Sequence, residues 1–108
     1  MRKFEILVIG RNVDIHETVL RLINKNEDWQ ATGALTDEES CRLCKEKTYD
    51  MVLLGSGIEE ESENKLREYF QSINPNLPIV QHYGGGSGLL YCEIMQVIDK
   101  LKATSIEK

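Results

Sequence analysis

The chain of 108 residues carries 18 acidic and 13 basic side chains, a formal net charge of −5, with 41% apolar and 29% charged residues. That balance fits one soluble globular domain and argues against a nucleic-acid backbone as the main partner, because such binding draws on clustered Lys and Arg and none are clustered here. No apolar run approaches the roughly 18 residues that a membrane-spanning helix needs, and "MRKFEILVIG" breaks too early, at "GRN", to serve as a secretory leader.

In chain order, "FEILVIG" (Phe4 to Gly10) is a continuous apolar run, the pattern of a strand covered on both faces. "DIHETVLRLINKN" reads as a helix with Asp14 as its cap, Glu17 as the capping partner, and Ile15, Val19, Leu22 and Ile23 as the inward stripe. "WQATGAL" (Trp29 to Leu35) is a second, weaker strand. "DEESCRLCKEK" is a second helix with Cys41, Leu43 and Cys44 inward, and "DMVLL" a third strand. "ESENKLREYFQSI" (Glu61 to Ile73) is a third helix with Leu66, Tyr69, Phe70 and Ile73 inward, ended by "NPN" because the residue before proline resists helical geometry. "LPIVQHY" (Leu77 to Tyr83) is a fourth strand, "GGGSG" (Gly84 to Gly88) a flexible connector, and "LLYCEIMQVIDKLKA" a last helix with Leu90, Ile94, Val97, Ile98 and Leu101 inward. The domain then covers residues 1–103, with 104–108 a disordered tail.

Alternating strands and helices imply parallel pairing through right-handed crossovers. The expected architecture is a three-layer α/β, flavodoxin-like parallel sheet of order 2-1-3-4, truncated to four strands. The second and third helices take one face; the last helix packs beside the first on the other.

Three cysteines, Cys41, Cys44 and Cys92, form an odd set. The C-x-x-C at Cys41 and Cys44 has no second pair or close His pair to complete a metal site, so it reads as inert, buried thiols in a reducing, cytoplasmic compartment. No metal and no other cofactor is expected.

With these segments in order, the chain resembles the receiver domains of bacterial two-component response regulators over roughly Lys3 to Gly84. The likeness lies in "ILVIGRNVDIHETVLRLI", "YDMVLLGSG" and "NPNLPIVQHYG" at the family's spacing. In that family an acidic pair after the first strand binds magnesium, an aspartate ending the third strand accepts a phosphoryl group, and a Thr or Ser ending the fourth strand and a Lys ending the fifth sense it. The resemblance places the acidic pair on Gly10 and Arg11, the phosphoacceptor on Gly55 and the Thr or Ser on Tyr83; too few residues follow Tyr83 to hold a fifth strand and its Lys. Phosphoryl transfer to a carboxylate needs an oxygen nucleophile and a divalent cation. Glycine supplies no such oxygen, and Ser56 beside it has no base adjacent in sequence. The resemblance therefore implies a degenerate, non-phosphorylatable receiver: no enzyme, acting by contact with a protein partner of a signalling pathway, away from nucleic acid and membrane. Arg11 is also a candidate anion site, aided by the helix amino terminus after Val13.

A second likeness is to cobalamin-binding modules of the same topology, through "DIHETV", "SGI" and "GGG", with His16 as cobalt ligand; it departs from the pattern at Val19 and Ile58. A small-ligand module for cobalamin or an anion is the alternative function, although a histidine in a first helical turn is usually exposed. "GGGSG" also leads into a helix as a phosphate cradle would, but without the Lys-Ser/Thr ending of a P-loop.

A missing fifth strand leaves "LPIVQHY" as an edge carrying Pro78 and no formal charge. A homodimer is expected there, with Val80, Gln81, His82 and Tyr83 at the interface.

Overall fold

The computed structural model describes residues 3–55, 57–81 and 87–106. Strands β1 (Phe4–Ile9), β2 (Trp29–Ala34), β3 (Met51–Leu54) and β4 (Ile79–Gln81) alternate with helices α1 (Val13–Asn24), α2 (Asp37–Glu46), α3 (Glu60–Ile73) and α4 (Ser87–Ile106). All strand pairings are parallel, in the order β2-β1-β3-β4, as the sequence implies. β1 and β3 are the inner strands, and Ile6, Leu7, Ile9 and all four residues of β3 have no exposed surface. Continuous apolar runs are the composition that burial on both faces demands.

Alternation along the strands divides the core in two. On one face Ile6, Val8, Met51 and Leu53 meet Val19 and Ile23 of α1 and Leu90, Ile94 and Val97 of α4. On the other, Leu7, Ile9, Val52 and Leu54 meet Leu66 and Phe70 of α3, with Leu43 and Cys44 of α2 at the margin. Helices α2 and α3 thus share a face, and α4 lies beside α1.

Five details of the helices differ from the sequence reading. Helix α1 is capped by Asn12, whose Oδ1 accepts from Ile15 N–H at 3.1 Å, and not by Asp14. Its buried line is His16, Val19 and Ile23, while Ile15 is 47% exposed. In α2 the fully buried residue is Ser40, whose hydroxyl donates to Thr36 O at 2.9 Å; Cys41, Leu43 and Cys44 are only half-buried. Ile73, the last residue of α3, and Leu101, toward the end of α4, are exposed. Residues 104–106, assigned to a frayed tail on sequence grounds, continue α4, for nothing in "ATSI" breaks a helix. The fourth strand begins at Ile79 and not at Leu77; His82, Tyr83 and Gly84 to Gly86 lie outside the described residues. Among the described residues no helix is long and apolar enough to cross a membrane.

Candidate functional site

In a sheet of parallel strands the loops after the strands gather at one end, which is where ligands meet such folds. Here those loops are residues 10–12, 35–36 and 55–59, drawn together by short backbone bonds. Gly55 N–H donates to Ile9 O at 2.6 Å and Gly10 N–H to Ala34 O at 3.1 Å. The positions singled out in sequence therefore converge: Gly10, Arg11 and Gly55 lie side by side. Tyr83 and Ser56 are outside the described residues.

Arg11 dominates the site. Its Nη1 donates to Leu35 O at 3.0 Å and its Nη2 to Asp37 Oδ1 at 2.6 Å, while Nε lies 3.6 Å from Glu59 Oε1. Asp37 is the first residue of α2 and Glu59 the N-cap of α3. Both carboxylates sit at helix amino termini, where the backbone already favours negative charge. One guanidinium thus ties the ends of β1, α2 and α3 together, and its planar fork suits three acceptors at once. The same geometry commits the cation internally, so Arg11 does not offer a free positive charge to an external anion.

Two glycines make room for this arrangement. Gly57 has φ +86°, a conformation L side chains rarely adopt, and a Cβ there would lie 3.2 Å from Arg11 Cβ. Gly57 packs against the Arg11 stem for that reason. A Cβ on Gly55 would lie 3.1 Å from Ile9 O and 3.7 Å from Gly10 Cα, so the position usually carrying a reactive side chain is pressed against backbone.

His16 is the second feature. It is 7% exposed, and its Nδ1 has no hydrogen-bond partner among the described residues. The imidazole lies in a cradle between the strand ends: a Cβ on Gly10 would approach Nδ1 to 3.2 Å, and a Cβ on Gly33 would collide with Nε2 and Leu20. Burial lowers the His16 pKa below its ordinary 6.5, against opposing pulls from Glu39 and Glu17. Sequence reasoning takes His16 as exposed; instead it is enclosed, and a cobalt-ligand role would require the ring to leave its cradle.

Asp37, Glu59, Gly33 and Gly57 are the site residues that sequence reasoning does not single out. Only Gly57 had a signal, as a glycine in a short strand-to-helix loop. Across the described residues no group of three or more His, Cys, Asp or Glu is placed to hold a metal ion. In α2, burial, and secondarily Cys41, pushes the Cys44 thiol up to about 11; burial, and secondarily the Asp37 carboxylate one turn earlier, raises Cys41.

No family model and no curated protein matches the sequence. Among solved structures the chain is similar to a response regulator receiver domain protein from Clostridium thermocellum, at 15% identity and TM-score 0.78 over 93% of this chain and 98% of that one. It is equally similar in shape to a two-component transcriptional regulator from Clostridium phytofermentans, at 10% identity and TM-score 0.78 over 98% and 100% of the two chains. A further match is to a histidine kinase in complex with a response regulator protein, at 20% identity and TM-score 0.62 over 80% and 76%. At these identities the likeness establishes the fold, a four-stranded version of the receiver architecture.

Proposed function

We propose that this chain is a receiver-fold signalling domain that accepts no phosphoryl group and acts through contact with a protein partner in a bacterial cytoplasmic pathway. The observation that carries this reading is the Arg11 network. Where the resemblance calls for acidic side chains to bind a divalent cation, a guanidinium is already tied to Asp37 and Glu59. Beside it, Gly55 supplies no oxygen to attack phosphorus. A group that transfers phosphoryl needs both the nucleophile and charge neutralisation from a cation; here the neutralising charge is built into the chain and balanced by its own carboxylates. The domain then has no phosphorylation switch, and the kinase–regulator complex among its structural neighbours supports protein contact as the mode of action.

The alternative, a small-ligand module, is weaker on the same geometry: Arg11 is committed and His16 is enclosed. As part of the proposal, the contact includes a second copy of this chain along β4.

The test is direct. The protein is incubated with magnesium and a small phosphodonor such as acetyl phosphate, then weighed intact. An unchanged mass is expected; a stable, magnesium-dependent phosphoryl adduct overturns the proposal.

A further inference from the structure

The buried imidazole of His16 has no part in the contacts at Arg11, yet it joins the first turns of α1 to the ends of β1 and β2. A Cβ on Gly33 would collide with the ring and one on Gly10 would crowd it, and among the described residues Nδ1 finds neither donor nor acceptor. A neutral ring leaves only an unpaired acceptor at Nδ1, whereas an imidazolium puts there a buried N–H donor with no acceptor among the described residues.

We propose that His16 is a proton-operated latch: neutral, it closes the first turns of α1 onto the Gly10 and Gly33 cradle; on taking up a proton it leaves the cradle and frees those turns together with the Arg11 end of the sheet. The charged groups around it are few. On its own helix stands Glu17, and across from it on α2 stands Glu39, both of which favour the proton. Glu39 is partly engaged, with Oε1 accepting from Leu35 N–H at 3.0 Å. From the loop after β1 comes Arg11, next to Gly10, with its guanidinium turned to Leu35, Asp37 and Glu59; from β2 comes the uncharged Gly33. The amino terminus of α1 opposes a positive charge in its opening turns. Burial outweighs the two carboxylates.

The sign follows from linkage. A ring whose closed-state pKa lies below 6.5 keeps the latch fully shut above pH 6.5. As pH falls from there, the released state binds the proton more readily and the closed-to-open ratio drops by up to about tenfold per pH unit, until the closed ring itself titrates. The first turn would then add the released ring to an already apolar tip, where Val13 is 53% and Ile15 47% exposed.

The experiment follows both histidine side chains by NMR from pH 8 to pH 4.5 in the wild-type protein, with amide exchange of residues 13–20 corrected for intrinsic rates, and repeats the exchange on His16→Gln. His16 is expected to titrate below 6.5. Protection of residues 13–20 should fall by up to about tenfold per pH unit through that interval while α3 keeps its protection, and this pH dependence should vanish in His16→Gln. A His16 titration at or above 6.5, or protection that falls equally across the whole molecule, overturns the latch. Should the variant not fold, the wild-type titration and exchange decide alone.

Discussion

At the scale of single residues, the absence of a side chain at position 55 is a packing requirement as well as a lost reactive group. A Cβ there would press on Ile9 O at 3.1 Å, and backbone gives way less readily than a side-chain tip. Restoring a carboxylate would also place it next to Arg11, which would become a third partner's cation and not a vacant metal site. Gly55→Asp is therefore expected to lose about 1–3 kcal/mol of stability by overpacking and to remain unphosphorylated by magnesium and acetyl phosphate. Urea unfolding and intact mass check the two halves separately. Magnesium-dependent phosphorylation of this single variant would show that Arg11 obstructs less than its three contacts imply.

At the scale of elements, the strands were legible because burial on both faces leaves an apolar signature that needs no partner to be read. The strand order followed from crossover handedness. Helix faces were less legible, and α1 shows why. Taking Asp14 as cap points Ile15 inward, since hydrophobicity is the only guide to facing. The actual cap, Asn12, starts the helix earlier, and Gly10 just after β1 together with Gly33 in β2 opens a space that a polar ring fills, so His16 is buried and Ile15 exposed. The Arg11 contacts were illegible for a related reason. Asp37 and Glu59 are separated from Arg11 by 26 and 48 positions, and charges in first helical turns are so common that their spacing marks nothing. Helix α2 makes a chemical prediction. With Cys44 pushed up to about 11 from an ordinary 9.0, its thiolate population near pH 8 is roughly a hundredfold below that of an unperturbed thiol. A thiol reagent is expected to modify exposed Cys92 first, Cys41 more slowly and Cys44 last, with all three alike in denaturant. Rapid native labelling of both Cys41 and Cys44 would revive a redox role for the C-x-x-C.

At the scale of the whole molecule, a four-stranded sheet ends where a longer one would continue. β4 pairs with β3 through Val52, Leu53 and Leu54 and, among the described strands, has no neighbour on its outer side. Natural edges are usually blunted by charge, bulge or proline; from Leu77 to Gln81 the chain offers Pro78 and no formal charge. Two copies pairing antiparallel about a two-fold axis would extend both sheets at once, and the symmetry makes that contact self-complementary. The fold also decides where the contact can be tested. Val80 packs against the core shared by α1 and α4, and Ile79 against the core beneath α3, so a lysine at either would unfold the sheet before it repelled a partner. Gln81, a half-buried polar residue that adds no apolar side chain to either cluster, is the better place. The wild-type protein is expected to scatter light as a dimer of its 12.4 kDa chain at about 100 μM, and Gln81→Lys to shift it toward monomer with its far-UV circular dichroism unchanged. An interface of standard size binds more tightly than that concentration requires, so a monomer mass for the wild type at 100 μM would remove the β4 edge as a site of self-association.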